Sequence, residues 1–177
     1  MVGVMATKKR ELNKRQMNSP VGPILLIASD EFLYEIIFVS SSTFNKEYYD
    51  SMNNNENNEI LNESVKQLEE YFRGQRIQFD LPLKVEGTSF QKQAWQALTT
   101  IPFGHTISYQ EQAQVLGDPK KARAIGGANS KNSIPIIIPC HRVIGKNGKL
   151  TGFAGGIDIK EALLKHEEKY YKNVTHP

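Results

Sequence analysis

"SYQEQAQVLGDPKKARAIGGAN", residues 108–129, carries the clearest indication of fold in this chain. Ser108 and Glu111 have the spacing of a capping box at the start of a short helix, which a glycine ends. Asp118 and Pro119 then supply the N-cap and first-turn residues of a second helix. Two short helices joined by so tight a turn predict a helix-turn-helix, a motif that DNA-binding proteins use to place the second helix against DNA.

The second of these helices is unusually rich in small residues. Four of them surround the long basic side chain of Arg123: Ala122, Gly126, Gly127 and Ala128. Glycine costs about 1 kcal/mol relative to alanine inside a helix, so something approaches this backbone closely. Two explanations stay open on composition: another helix of the same domain packs there, or the helix enters a narrow groove of DNA and Arg123 reaches between the bases.

The first half of the chain predicts a small mixed domain of sheet and helix. Residues 22–41, "GPILLIASDEFLYEIIFVSS", hold two apolar runs about a polar turn, which predicts a β-hairpin. Residues 48–59 are polar and rich in asparagine, and predict a mobile loop. Val65, Leu68 and Phe72 then repeat at helical spacing.

Residues 79–89, "FDLPLKVEGTS", predict a linker, because a proline and a glycine lie where the charge balance changes sign. Helical patterns dominate the second half, beginning with a helix that Ser89 can cap. We therefore predict the α/β (α+β) class, in four segments: a flexible tail at residues 1–18, a mixed domain at 19–83, a linker with the start of the first C-terminal helix at 84–90, and a mainly helical domain with the helix-turn-helix at 91–177.

Composition limits the function classes. No apolar stretch approaches the roughly 20 residues that span a membrane, so we predict no membrane association and a cytoplasmic protein. One cysteine excludes an internal disulfide and a zinc site with two or more thiolates, and the four histidines have no metal-binding spacing, so we predict no metal. Residues 1–83 carry 9 Lys+Arg and 12 Asp+Glu, while residues 84–177 carry 13 and 7. The basic half indicates a polyanionic partner, although a solvated lysine surface would look the same.

The single cysteine lies in "IPIIIPCHRV", residues 134–143. Residues 134–138 predict a short buried strand, and the proline that follows forces a turn at Cys140. A lone cysteine is ordinarily an inert core thiol. His141 and Arg142, however, favour a reactive thiolate if their side chains come near it.

Glu167 offers a third member of a site, because it lies on an otherwise apolar stripe of a C-terminal helix. A nucleophile, a base and a carboxylate that orients the base are the parts of an activated nucleophile. Cys140, His141 and Glu167 therefore admit two enzymes: a cysteine hydrolase, or a transferase that keeps the group it takes.

The motif Pro-Cys-His-Arg-Val at residues 139–143 resembles the signature of the O6-alkylguanine-DNA alkyltransferases, also called methylated-DNA–protein-cysteine methyltransferases. The resemblance extends to residues 19–38 and to nearly all of residues 90–167. It implies DNA repair by irreversible, single-turnover transfer of the alkyl group from guanine O6 to the protein's own Cys140, with no cofactor. It also implies a monomer that binds double-stranded DNA through the minor groove and flips the damaged nucleotide out of the duplex.

The resemblance also implies roles for individual residues. Cys140 is the acceptor, His141 the base that acts through a water, Glu167 the carboxylate that holds His141, and Asn132 the side chain that holds the turn around the site. Tyr109 hydrogen-bonds the flipped base.

The remaining implied roles concern DNA and the guanine edge. Arg123 fills the vacated place in the stack, and the helix that holds Ala122, Gly126, Gly127 and Ala128 enters the minor groove. The carbonyls of Cys140 and Val143 accept from the guanine amino group, which adenine lacks at that position.

The chain departs from the family pattern at Phe153 and Ala154, where some members have Tyr-Ser. The donor to O6 would then be the backbone N–H of Ala154. The cysteines of the zinc site that some members carry are also absent. Two rivals stay in view: a non-catalytic lesion binder, against which Cys140 argues, and a helix-turn-helix regulator, which would need a second sequence-reading module.

Overall fold

The computed structural model describes residues 11–175, in which a four-stranded sheet with two helices precedes a mainly helical half. The strands run in the order β3-β2-β1-β4; neighbours are antiparallel except for β4, which is parallel to β1. The elements of this half are β1 (Asn13–Met17), β2 (Ile24–Ala28), β3 (Leu33–Phe38), α1 (Lys46–Asp50), β4 (Asn53–Asn54) and α2 (Glu59–Phe72). They confirm the predicted hairpin and the predicted α/β class.

The prediction of a flexible tail over residues 1–18 is wrong for residues 13–17. These residues form β1, which pairs with β2 on one side and with β4 on the other. Only Asn13 and Met17 are buried in this strand, so its sequence lacks the apolar alternation of a half-buried strand. Residues 1–10 of the predicted tail lie outside the described residues.

The prediction of a mobile loop at residues 48–59 is also wrong. This segment completes α1, forms β4 and reaches the first residue of α2, which Asn58 caps by accepting from the Leu61 N–H. The Asn58 amide also donates to the carbonyl of Ser29 at 3.0 Å. Asparagine favours caps and turns, so a polar run can be ordered by bonds that hydrophobic periodicity does not reveal.

Up to residue 175, where the description ends, the second half is built from four helices, two 3₁₀ helices and a pair of two-residue strands. Its elements are α3 (Ser89–Leu98), β5 (Ile107–Ser108), α4 (Tyr109–Val115), a 3₁₀ helix (Pro119–Lys121), α5 (Ala122–Asn129), a second 3₁₀ helix (Cys140–Arg142), β6 (Val143–Ile144) and α6 (Ile157–Thr175). Thr88 caps α3 in a capping box with Gln91, so the predicted cap at Ser89 is wrong by one residue. Within the described residues, none of the helices is long and apolar enough to cross a membrane.

The predicted helix-turn-helix is confirmed. Ser108 and Glu111 form the capping box of α4. Gly117, whose φ is 95°, lies in the turn that follows this helix. The Asp118 side chain accepts from the N–H of Lys120 and so caps the 3₁₀ helix that leads into α5.

Packing accounts for part of the small-residue pattern of α5. Ala128 packs with Ala94, Ala113 and Ile125 in a small core between α3, α4 and α5, and its carbonyl accepts from Trp95 Nε1 at 2.9 Å. The implied placement of Ala128 on the DNA surface is therefore wrong, since its side chain faces inward at 4% exposure. The opposite face of α5 is open.

The two halves pack against each other around one hydrophobic core, which contains residues of the sheet, of α2 and of the segments before α4 and after α5. The outer edge of β3 is covered, because the Ile36 N–H donates to the Ser133 carbonyl at 2.9 Å and Leu33 forms a parallel bridge with Leu83. The predicted domain boundaries stay a prediction. What positions the site is this covered edge, which brings the segment that precedes Cys140 onto the sheet.

Candidate active site

Residues 134–138 form a compact buried turn, not the predicted strand. Ile136 has a φ of 73°, and the Ile138 N–H donates to the Ile134 carbonyl at 3.0 Å. A strand is excluded because two prolines in and beside the segment cannot donate backbone hydrogen bonds. Asn132 closes the turn at both ends: its Nδ2 donates to the Ile138 carbonyl at 2.7 Å, and its Oδ1 accepts from the Ile134 N–H at 3.0 Å.

Cys140 opens the 3₁₀ helix that follows this turn, and it is buried at 8% exposure. Burial raises the pKa of its thiol; the Asn132 side chain, the charge of Lys160 and two backbone N–H groups oppose that rise without cancelling it. The thiol is therefore protonated at neutral pH. It needs a base before it can act as a nucleophile.

His141 is such a base, although its ring is fully buried. Its Nε2 lies 2.7 Å from Oε1 of Glu167. Burial lowers the pKa of His141 in spite of this carboxylate, so the ring is neutral at pH 7. Because a carboxylate can only accept, Nε2 carries the proton and Nδ1 keeps a free lone pair. Among the described residues no group hydrogen-bonds to this buried Nδ1.

Glu167 is held by more donors than the sequence indicated. Besides His141, its two oxygens accept from the Tyr71 hydroxyl at 2.8 Å, from Arg142 Nε and a terminal nitrogen at 2.9 Å each, and from the Gly104 N–H at 3.2 Å. Burial opposes its ionisation, but the hydrogen bonds and charges of His141 and Arg142 outweigh burial and hold the pKa of Glu167 far below its usual range. Glu167 is therefore a carboxylate at neutral pH.

The sequence suggested that Arg142 favours a thiolate at Cys140, but its guanidinium is directed elsewhere. Its guanidinium binds Glu167 and donates to the carbonyl of Ile101 at 2.6 Å. Its charge therefore offsets that of Glu167, which leaves the carboxylate to orient His141 more than to raise its basicity. Tyr71 lies on α2, in the other half of the chain, and nothing in the local sequence indicates its contact with Glu167.

Lys160 is a second residue that the sequence reasoning missed. Its side chain is fully buried, and its Nζ donates to the carbonyls of Val143 at 2.6 Å and Thr151 at 2.9 Å. It also lies 3.4 Å from the Tyr109 hydroxyl, which donates to the same Thr151 carbonyl at 2.9 Å. A signal existed, since Lys160 lies seven residues before Glu167 and shares its face of α6.

The parallel pairing of β5 with β6 joins the helix-turn-helix to this site. Ile107 pairs with Val143, so Tyr109 at the start of α4 comes to lie beside the segment that follows Cys140. The structure thus brings Cys140, His141, Glu167, Asn132, Tyr109 and Val143 into one region. All six were named from the sequence, three of them from the resemblance alone.

Two family models match successive parts of the chain. Residues 12–85 match the ribonuclease-like domain of 6-O-methylguanine DNA methyltransferase, and residues 89–169 match the DNA-binding domain of the same enzyme. A methylated-DNA–protein-cysteine methyltransferase of Methanosarcina acetivorans is 52% identical over 149 residues, which cover 84% of this chain and 94% of the relative. The chain belongs to the 6-O-methylguanine DNA methyltransferase family.

Other relatives agree with this membership. The constitutive methylated-DNA–protein-cysteine methyltransferase of Bacillus subtilis is 45% identical over 87% of this chain and 94% of its own length. The crystal structure of the O6-methylguanine methyltransferase of Mycobacterium tuberculosis matches with a TM-score of 0.82 at 40% identity, over 90% of this chain and 94% of that one. The M. tuberculosis OGT was also solved in complex with DNA, and that structure matches with a TM-score of 0.80.

Membership of the methyltransferase family confirms the resemblance drawn from residues 139–143 and sets aside the regulator and the cysteine hydrolase. The binding of DNA by this chain follows from its DNA-binding domain. Among residues 11–175, no group of three or more histidine, cysteine or acidic side chains could hold a metal ion.

The positions at which this family member departs from Tyr-Ser lie in an exposed turn. The Gly156 N–H donates to the Phe153 carbonyl at 2.9 Å, which closes a four-residue turn with Ala154 at its second position. Ala154 is exposed and Phe153 half-buried. Among the described residues no acceptor is recorded for the Ala154 N–H, so this donor is available.

The open face of α5 carries the other predicted DNA residues of this methyltransferase. Arg123 and Gly127 are exposed, and Ala122 and Gly126 are partly so. A Cβ added at Gly127 would meet no atom within 4 Å, while one at Gly126 would lie 3.8 Å from the Tyr109 ring. Intramolecular packing among the described residues therefore does not explain these two glycines.

Proposed function

We propose that the chain repairs alkylated DNA by direct reversal, moving the alkyl group from O6 of guanine onto its own Cys140 in a single turnover. The observation that carries the proposal is the buried hydrogen bond between His141 and Glu167, directly after Cys140 in the chain. It leaves the imidazole neutral, with a basic Nδ1 that has no partner among the described residues. Membership of the methyltransferase family supports the same chemistry.

The relay of Cys140, His141 and Glu167 suits the removal of a proton from a thiol whose pKa is raised. A water between Sγ of Cys140 and Nδ1 of His141 would give the buried Nδ1 a hydrogen-bond partner and pass the thiol proton to the imidazole. The hydrogen bond from Nε2 to Glu167 then stabilises the imidazolium. The thiolate attacks the alkyl carbon: an S–C bond forms, the C–O6 bond breaks, and its electron pair leaves on the guanine. A thioether is the product, and no group in the site is suited to cleave it.

Base recognition falls to groups that surround the thiol. The carbonyls of Cys140 and Val143 accept from the guanine amino group, each keeping a second lone pair beside its existing bond to the Val143 N–H or to Lys160. The Tyr109 hydroxyl turns its one proton from the Thr151 carbonyl to the base when the base enters, while Lys160 keeps its bond to that carbonyl. The Ala154 N–H donates to O6 as negative charge develops there.

Access to O6 requires that the nucleotide leave the duplex. The open face of α5, with Ala122, Gly126 and Gly127, enters the minor groove, and Arg123 fills the vacated place in the stack. The chain acts as a monomer, and its single thiol is suited to the reducing cytoplasm.

Titration of the protein with a duplex that contains O6-methylguanine tests the proposal. We expect one lesion repaired per protein molecule, a gain in intact mass of one methyl group, and its location on the peptide that holds Cys140. The Cys140→Ala variant should bind the duplex and leave the lesion intact. Repair of several lesions per molecule, or an unmodified Cys140 after repair, would contradict a single-turnover transferase.

Arg123→Ala should slow repair of duplex DNA about tenfold at saturating DNA, because the variant loses a side chain that offsets part of the few kcal/mol needed for unstacking. Transfer from the free O6-alkylguanine base should stay at the parent rate, since a free base is not flipped. The measurement is the single-turnover rate constant on each substrate.

Lys120→Ala is the matched control for Arg123→Ala, because it removes one exposed charge from the adjacent 3₁₀ helix. It should weaken DNA binding in a salt-dependent way and leave the rate at saturation unchanged. Equal losses on duplex and free base for Arg123→Ala would show that the residue does not act in extrusion.

A further inference from the structure

We propose that Ser41 and Phe38, in the N-terminal half of the chain, are positioning residues that hold the turn of residues 153–156 in place to receive the guanine base. The inference rests on the proposed function, because it assigns this turn to the substrate pocket. It adds the end of β3 and the loop after it to that pocket, whereas the proposed function assigns roles in alkyl transfer only to residues of the second half.

Ser41 is oriented before it meets the turn. It follows β3, and its N–H donates to the Phe38 carbonyl at 2.9 Å. Its Oγ accepts from the Thr43 N–H at 3.2 Å and lies 2.8 Å from the Thr43 hydroxyl. The same Oγ donates to the carbonyl of Ala154 at 2.9 Å, across 113 residues of sequence. A hydroxyl held by its own loop thus reaches the residue whose N–H is assigned to O6.

Phe38 makes a second, apolar contact with the same turn. It is the last residue of β3, it is buried at 3% exposure, and its ring lies 5.6 Å from that of Phe153, centroid to centroid. The backbone of Gly155 packs directly on the Phe38 ring, since a Cβ at position 155 would lie 2.6 Å from Cδ2 of that ring. Only glycine allows the turn to approach β3 so closely.

The start of the same loop is anchored on its other side. Both Lys160 and Tyr109 donate to the Thr151 carbonyl. The segment from Thr151 to the turn is thus held by the core of the second half at one end and by Ser41 and Phe38 at the other. Rotation of the peptide units between these anchors would redirect the Ala154 N–H, so the contacts with β3 determine where that donor points.

The test compares three serine variants. Ser41→Ala removes the hydroxyl, Ser41→Thr keeps it, and Ser42→Ala is a matched control at an exposed neighbour. Transfer from free O6-benzylguanine is followed by single-turnover kinetics as a function of base concentration, which gives a maximal rate and a half-saturation concentration. Reaction of Cys140 with iodoacetamide is followed in parallel, because it uses the thiol and not the turn.

We expect the ratio of maximal rate to half-saturation concentration to fall about 2- to 10-fold for Ser41→Ala, the factor that corresponds to one net hydrogen bond. Ser41→Thr should recover most of that loss, while Ser42→Ala and the iodoacetamide rate of every variant should match the parent. Gly155→Ala, which forces the turn away from Phe38, should reduce the ratio further.

Two results would overturn the inference: a parental ratio in Ser41→Ala, or an equal fall in its iodoacetamide rate, which would indicate a general disturbance of the site. The parent protein separates this inference from the proposed function. Failure of the parent to become alkylated at Cys140 would refute the proposed function, whereas alkylation of the parent with no difference in Ser41→Ala would refute only the role of Ser41 and Phe38.

Discussion

Glu167→Gln should lower the free energy of unfolding by about 3–5 kcal/mol at neutral pH, because it leaves the buried charge of Arg142 without its carboxylate. Glu167 is 1% exposed and accepts from four different residues. Water therefore cannot reach Arg142 to solvate its guanidinium once the carboxylate is gone. The measurement is chemical denaturation of both proteins. Glu168→Gln, at the exposed next position, should stay within about 0.5 kcal/mol of the parent.

The same substitution should slow alkyl transfer about a hundredfold or more. A glutamine amide can direct its oxygen to Arg142 and its NH2 group to Nε2 of His141. Nε2 must then accept, so the proton moves to Nδ1, and the imidazole can no longer take a proton from the Cys140 side. In serine proteases the equivalent exchange of carboxylate for amide costs about 10⁴-fold for this reason. A variant that is folded at the assay temperature and transfers at the parent rate would contradict the relay.

The stability difference between parent and Glu167→Gln should depend on pH. The pKa of Glu167 in the folded protein is held far below the value of about 4.3 that glutamate has in an unfolded chain. Its contribution is therefore complete above that unfolded value and is lost as the pH falls toward the folded one, because protons bind preferentially to the unfolded state. We expect the difference in unfolding free energy to be constant from pH 6 to 8 and to narrow below about pH 4.

Ala154→Pro should slow transfer about a hundredfold or more, because it deletes the N–H that we assign to O6; removal of one such donor costs about 10²–10³-fold in other enzymes. The substitution is compatible with the fold, since proline is favoured at the second position of a turn. Ala154→Ser is the matched control: it keeps the N–H and restores the hydroxyl of some family members, so its rate should change little.

The informative substrate for Ala154→Pro is the free O6-alkylguanine base, for which flipping plays no part. Circular dichroism and the iodoacetamide rate of Cys140 should show that fold and thiol are intact. A parental rate in the folded proline variant, or a large acceleration in Ala154→Ser, would mean that another group, such as the Tyr109 hydroxyl, is the donor to O6.

Elements with local signals could be recognised from the amino-acid sequence alone. The hairpin of β2 and β3, the capping box of α4, the cap at Asp118 and the apolar stripe of α6 depend on residues within one or two turns of each other, so they could be recognised from spacing alone. The motif at residues 139–143 and Glu167 on the α6 stripe likewise identified the family and three residues of the relay before any contact was known.

Features that depend on partners distant in sequence became visible only in the folded chain. The polar strand β1 exists because β2 and β4 supply its hydrogen bonds, and residues 134–138 turn because Asn132 and the edge of β3 satisfy a backbone that two prolines prevent from pairing. No periodic pattern in the sequence indicates the acceptors of the buried Lys160 or the donors to the buried Glu167. The same holds for the hydrogen bond between Ser41 and Ala154, which are 113 residues apart. Such groups are selected by the cost of burying a polar atom unpaired, and only the folded chain shows which atoms meet.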